Sequence, residues 1–196
     1  MSNRKMRILI INASPRRHGL VSEMLDIMGQ EAEVCGHEVE QVRVSTLDFR
    51  PCTGCMYCRT HEACCLPEDD SVHVLEKIRA ADALIVGSPC YWGNINGHLK
   101  MLFDRIVYGM MGESAYGIPI ALHKGKKAVI VTTCTTPYPW NILFNQTRGV
   151  VKALKEILKW SGFKVKGIIQ KGGTKKNPTL SAREEARCRQ IIRKLE

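Results

Sequence analysis

Five of the chain's nine cysteines fall between residues 51 and 65, in the stretch PCTGCMYCRTHEACC. Cys52, Cys55 and Cys58 stand at C-x2-C-x2-C spacing, and Cys64 and Cys65 follow. Sulfurs at such intervals can be turned to one side of a short loop, and three chemistries suit them. Bacterial ferredoxins use a run of this kind to ligate [4Fe–4S]. Structural zinc more often takes two C-x2-C pairs separated by a longer stretch. A loop of free thiols is the third. Cys35, Cys134 and Cys188 sit in apolar or scattered surroundings and read as small hydrophobes. His37, His61, His73, His98 and His123 make no H-E-x-x-H pattern. Asp69 and Asp70 suit a helix start better than acid–base work.

A second group of residues suits phosphate. The stretch ASPRRHGLVS, residues 13–22, carries Ser14, Arg16, Arg17, Gly19 and Ser22 where an apolar run gives way to a helical pattern. Hydroxyls, guanidinium groups and the amides of a helix start together make an anion cradle. The plain alternative is a polar turn with surface arginines. Neither G-x-G-x-x-G nor G-x-x-x-x-G-K-[ST] is present, which argues against a dinucleotide-binding Rossmann unit and against a nucleotide triphosphatase. GSPCYWGNINGHLK, residues 87–100, adds Pro89, Tyr91 and Trp92 as flat apolar surface, with Gly93 and Gly97 allowing close backbone approach. Either aromatic alone fits a core or an interface equally well. A phosphate cradle beside a planar, aromatic-lined slot suits FMN. That cofactor carries its own hydride chemistry, so no catalytic side chain is assigned.

These loops need a frame that brings them together, and the order of the chain supplies one. MRILIINAS (6–14), DALIVGSP (82–89) and KKAVIVTTC (126–134) are apolar runs of the kind buried on both faces of a parallel sheet. HEVEQVRV (37–44) alternates like an edge strand, and FKVKGIIQ (163–170) reads as a last strand. Helical spacing runs from Leu20 to Cys35, where Gly36 supplies a stop, and again after PEDD, with Val72, Leu75 and Ile78 on one face. It returns over 96–109, with Leu99, Leu102, Phe103 and Ile106 inward, and over 143–161. A final helix opens on a Ser181–Glu184 capping box. Strands alternating with helices predict an α/β fold: a doubly wound, five-stranded parallel sheet in three α/β/α layers. We read one domain over 1–196, with a Cys-rich loop at 51–66. Ligands bind outside the carboxyl ends of such strands. Loops 13–22, 88–96 and 133–141 emerge there, the last offering Thr133 and Thr135.

At 196 residues the chain has room for one core but not for two comfortable ones. No apolar run reaches the length of a membrane span, and MSNRKMRILIINASPRRHG lacks the long apolar segment of a signal peptide. A cytoplasmic location is expected, where thiols stay reduced and clustered cysteines mean metal or redox chemistry. The net charge of +10 is scattered, and no compact nucleic-acid-binding motif accompanies it. A solvated basic surface that attracts anionic cofactors is therefore expected rather than nucleic-acid binding. Residues 107–125, VYGMMGESAYGIPIALHKG, keep no clear period. A monomer would have trouble covering Met110, Met111, Tyr116 and Ile118, so a homodimer or larger oligomer is expected with this segment at the interface.

INASPRRHGLVSEML, PCTGCMYC with a further cysteine, and DALIVGSPCYWGNINGHLKMLFDR together resemble the NAD(P)H-dependent FMN reductase family of flavodoxin-like fold, and within it the iron-sulfur flavoproteins. The likeness runs from about residue 6 to 106, and S-P-x-Y-x-G-x-x-x-G-x-L-K-x-x-x-D-R is its most specific part. It implies FMN phosphate on Ser14, Arg16 and Ser22, and the isoalloxazine ring against Pro89, Cys90, Tyr91, Trp92, Gly93 and Asn94. It also implies a [4Fe–4S] cluster on Cys52, Cys55, Cys58 and Cys64, leaving Cys65 spare. One departure stands out: the family often reads Gly-Asn-Thr before the last serine, where this chain has Gly19, Leu20 and Val21. Arg17 or His18 would have to replace those contacts. The implied activity passes electrons from NAD(P)H through FMN to a quinone, a flavin or another acceptor, in a homodimer or homotetramer. Two alternatives stay open: an iron-sulfur electron carrier fed by ferredoxin, and a non-catalytic zinc- or thiol-based sensor.

Overall fold

The computed structural model describes residues 5–195. The strands are β1 (Arg7–Asn12), β2 (Glu38–Arg43), β3 (Ala83–Pro89), a short antiparallel pair β4 (Met111–Glu113) and β5 (Pro119–Ala121), then β6 (Lys127–Thr133) and β7 (Lys164–Lys171). Five of them form one parallel sheet in the order β2-β1-β3-β6-β7. That is the flavodoxin-like order, in which the first strand lies between the second and third.

The apolar runs are two-sided, and both sides are covered. Ile8, Ile10, Ala83, Ile85, Val129 and Val131 pack against helices α1 (Leu20–Val34) and α8 (Ala182–Arg193). Their chain neighbours Leu9, Ile11, Leu84, Val86, Ala128 and Ile130 face α3 (Asp70–Ala80), α4 (Gly97–Arg105) and α7 (Gln146–Ser161). Successive strand residues point to opposite faces, so continuous apolar runs are what a sheet between two helical layers requires. Short helices α2 (Cys58–His61), α5 (Val107–Met110) and α6 (Trp140–Leu143) lie in the connections. The capping box at Ser181 and Glu184 is present, and Gly36 follows α1 at φ 84°. Among the described residues no helix is long and apolar enough to cross a membrane.

The elements differ from the sequence pattern in four places. The helix expected over 96–109 lapses at Ile106 (φ −101°, ψ 14°), which separates α4 from α5. The one expected over 143–161 begins only at Gln146, because Asn145 turns left-handed at φ 57°, a conformation asparagine tolerates. In α3, Val74 takes the core position beside Leu75 and Ile78, while Val72 is half-buried. Within 107–125 the chain forms α5 and the β4–β5 hairpin, and Met110 is buried within a single chain. Tyr116 and Ile118 remain 91% and 61% exposed.

The register aligns the carboxyl ends of the strands. Asn12 pairs with Arg43 on one side and Gly87 on the other, and Pro89 pairs with Thr133. The cysteine loop leaves from the β2 side of this edge and is closed at its base. The Asp48 amide donates to the Asp70 carboxylate at 2.7 Å, and the Arg50 amide to Asp69 at 3.2 Å. Asp69 also caps α3 by accepting from the Ser71 amide at 3.1 Å. The fully buried Arg105 donates to the Pro67 carbonyl at 3.0 Å and to Asp69 at 3.4 Å.

Candidate functional site

β1 ends in Asn12, a polar side chain that the sheet buries completely. Its amide nitrogen donates to Ser22 Oγ at 3.1 Å, and its Oδ1 accepts from the Ser14 amide at 3.0 Å. Ser14 Oγ accepts from the Arg16 amide at 3.2 Å, and Ser22 Oγ donates to the Arg16 carbonyl at 2.8 Å. Both serines are buried, so their hydroxyls shape the turn from beneath. Arg16, Arg17 and His18 face solvent, with Gly19 half-buried behind them. Gly19 is the N-cap of α1 and has no side chain to satisfy the first helical amides, which keep the partial positive charge of a helix start. Arg43 reaches the Ser14 carbonyl with Nη2 at 3.4 Å, and among the described residues its buried Nε has no hydrogen-bond partner. Asn12 and Arg43 escaped the sequence reading. Asn12 left a faint signal, a lone polar residue closing an apolar run; Arg43 becomes visible only once strand order places it beside β1.

The 88–96 loop is a tight turn. Tyr91 and Asn94 exchange backbone hydrogen bonds of 3.0 and 2.9 Å, and the two residues between them, Trp92 and Gly93, have φ of 52° and 69°. Positive φ at both central positions is the type I′ pattern. Glycine accepts it freely, whereas a tryptophan held there is strained. The Trp92 side chain is 102% exposed, so the strain holds a large aromatic away from the core. The turn is braced from behind: the Cys90 amide donates to the Thr133 carbonyl at 2.9 Å, and the Asn96 amide donates to Ser88 Oγ at 2.9 Å. The Gly93 carbonyl rests on Gly149 of α7, where an added Cβ would lie 1.8 Å from that oxygen. Pro89 and Cys90 are half-buried and Tyr91 and Asn94 exposed; burial pushes the Cys90 thiol up.

Because β1 and β3 are neighbours, the 14–22 loop and the Trp92–Gly93 turn flank one another, tied by the Ala13 amide donating to the Gly87 carbonyl at 2.8 Å. The loop after β6 comes next. It buries Thr133 and exposes Thr135, and it is pinned by Asn141 donating to Thr147 at 3.0 Å. Tyr138, Trp140, Leu143 and Phe144 are exposed on it, with Trp140 and Phe144 stacked at 5.5 Å. The result is an open polar-and-aromatic shelf along the carboxyl edge. A large groove of about 760 Å³ lies elsewhere, against β2 and α3, and includes none of these loop residues.

The cysteine loop keeps its sulfurs in one neighbourhood. Cys58 and Cys64 are half-buried; Cys52, Cys55 and Cys65 are exposed. Burial, and then the charge of Cys52, Cys64 and Cys55, pushes the Cys58 thiol up. Cys55 and Cys65 touch, with their Sγ atoms 3.3 Å apart. Cys65, spare by the motif's spacing, therefore stands inside the group. Hydrogen bonding at the Tyr57 backbone, then from Cys65, draws Cys55 down, and the bond to Cys55 pushes Cys65 up. Among the described residues no three His, Cys, Asp or Glu side chains gather closely enough to hold one metal ion. Arg59 anchors the loop to the hairpin through Glu113 at 2.6 Å, beside a cavity of about 170 Å³ lined by Cys52, Met56, Cys58, Tyr108 and Met111.

Residues 6–166 match the profile of the family described as NADPH-dependent FMN reductase. The chain belongs to this family. The 13–22 loop, the cysteine loop and the Trp92–Gly93 turn all fall within the span that matches the FMN reductase profile. An iron-sulfur flavoprotein of Archaeoglobus fulgidus is 36% identical over 108 residues, which cover 55% of this chain and 52% of that protein. The chain spans about half the length of the curated relatives it matches first. Two of the solved structures that share its fold bear on its chemistry only through the fold. An FMN-dependent NADH-azoreductase of Bacillus anthracis, solved in complex with FMN, superposes with a TM-score of 0.71 at 15% identity, over 97% of each chain. An NAD(P)H:quinone oxidoreductase of Methanothermobacter marburgensis gives 0.70 at 22% identity, over 98% of this chain and 100% of that one.

Proposed function

We propose that the chain binds FMN along the carboxyl edge of its sheet and passes electrons from NAD(P)H to a small acceptor such as a quinone or a free flavin. One observation carries this reading: an uncapped helix start flanked by Arg16 and Arg43 lies beside a strained turn that presents Trp92. The residues fit the cofactor. Among the described residues, Arg43 Nε has no acceptor and no side chain caps the first amides of α1, which leaves donors for a phosphate. Arg16 and Arg17 would close on the phosphate from the solvent side, while Ser14, Ser22 and Asn12 hold the turn in shape. Pro89, Cys90, Tyr91, Trp92, Gly93 and Asn94 would flank the ring, with Thr133 and Thr135 at its far side, and Trp92 would exclude water from one face. The chemistry FMN supplies when bound is hydride acceptance and onward electron delivery. No side chain is needed as acid or base.

The experiment is anaerobic mixing of the flavin-loaded protein with NADH or NADPH while the flavin absorbance is followed. Loss of the flavin bands with either nicotinamide is expected. No loss with both would overturn the direct nicotinamide step. It would favour a second reading, an iron-sulfur electron carrier fed by ferredoxin with Cys52, Cys55, Cys58 and Cys64 as ligands. That reading draws support from the shared electrostatic neighbourhood of the loop sulfurs and from the relatives' names. The loop as it stands has the donors but not a finished ligand set, so it would have to close on a cluster as the cluster forms. We place the protein in the cytoplasm, where such thiols stay reduced. We also propose a homodimer or homotetramer joined through Tyr116, Ile118 and their exposed neighbours Ile120 and Leu122.

A further inference from the structure

We propose that Cys55 and Cys65 form a reversible intramolecular disulfide in response to peroxide, which takes Cys55 out of reach of any metal. The two Sγ atoms already stand 3.3 Å apart, and both residues are exposed. A disulfide brings sulfurs to about 2.05 Å, so the pair has roughly 1.3 Å left to travel. The local backbone permits that travel. Cys55 lies outside any helix or strand, between Gly54 and Met56 at φ 70° and 62°, and Cys65 lies in the irregular segment after α2. The ends of the loop are held separately, at Asp69, Asp70 and Arg105, so closure at its tip leaves the sheet untouched.

The chemistry balances with hydrogen peroxide as oxidant. One thiol attacks an oxygen of the peroxide and breaks the O–O bond, giving a sulfenic acid and one water. The second thiol attacks that sulfur, forms the S–S bond and releases a second water. Two electrons leave the sulfurs and the peroxide is reduced. A dithiol reverses the step by exchange through a mixed disulfide. The disulfide itself stands apart from the cluster reading; only its consequence for metal rests on that reading, through Cys55 as a ligand.

The test uses the full chain, purified anaerobically and freed of reductant. After treatment with a slight excess of hydrogen peroxide, free thiols are alkylated and a non-reduced tryptic digest is read by mass spectrometry. The cut after Arg59 separates the two cysteines, so the expected result is a pair of peptides joined at Cys55 and Cys65, a loss of two free thiols per chain, and full recovery with dithiothreitol. Cys65→Ser, a change at an exposed position, should give no such crosslink and lose fewer than two thiols, because a sulfenic acid on Cys55 then lacks its partner. A bond between other loop cysteines, an unchanged count in the wild type, or the same loss in Cys65→Ser would overturn the proposal. Iron uptake during anaerobic reconstitution reads the consequence. Peroxide-treated wild type should take up less iron than the reduced protein, and dithiothreitol treatment before reconstitution should restore the uptake. Equal uptake in both wild-type forms would overturn the competition for Cys55. Iron uptake by neither form would sink the cluster reading instead, with the crosslink still decided by the mass spectrum.

Discussion

Arg16 stands in solvent at the turn between β1 and α1, with its backbone carbonyl held by Ser22 and its side chain free to meet a phosphate. Arg16→Ala removes one charge-assisted donor while leaving the turn's own hydrogen bonds in place. FMN binding should weaken by about 1.5–3 kcal/mol, read by titrating the apoprotein and following flavin fluorescence. Unchanged affinity would remove Arg16 from the site. At this scale the sequence singled out the loop but not the division of labour within it. Ser14 and Ser22 read as hydroxyls for a phosphate, yet each is buried and occupied by the turn itself. Arg43 was not legible at all, because nothing in a linear chain says that residue 43 ends beside residue 12. Cys65 was set aside on spacing alone, and contact across α2 brings it back.

The Trp92–Gly93 turn depends on α7 as much as on its own residues. Gly149→Ala would place a Cβ 1.8 Å from the Gly93 carbonyl, so helix and turn must separate. Overpacking of that kind costs about 1–3 kcal/mol. The urea midpoint should fall, and FMN should bind more weakly because Trp92 and Gly93 move with the turn. A variant matching the wild type in both measurements would show that this contact does not position the loop. The central strands were readable because burial on both faces makes their apolar runs continuous. The start of α7 was not, since Leu143 and Phe144 extend its apolar pattern while lying exposed ahead of a left-handed Asn145. The β4–β5 hairpin was missed for a related reason: each strand is too short to establish a period.

Over the whole molecule, several carboxylates link stability to acid, Glu184 and Asp69 among them. Burial opposes ionisation of Glu184, but hydrogen bonds from Lys171 and Ser181 outweigh it and hold the carboxyl below its ordinary range. Burial likewise opposes Asp69, which Ser71, the Arg50 amide and Arg105 hold low. A carboxyl depressed in the folded state adds stability above its unfolded pKa and loses it as pH falls through the folded one. The urea midpoint should therefore hold steady above about pH 5 and fall as the pH drops below about pH 4, and less steeply in Lys171→Met. An equal slope in the variant would contradict the role given to that pair. The exposed side chains of the hairpin predict a particle of at least twice the chain's mass by light scattering, and a monomer at working concentration would reject the interface. Everything proposed for the carboxyl edge depends on which flavin it holds. The apoprotein should be offered equimolar FMN and FAD, freed of unbound cofactor and denatured, and the released flavin weighed by mass spectrometry. FMN near one per chain is expected; FAD as the main species, or no flavin retained, would overturn the FMN site.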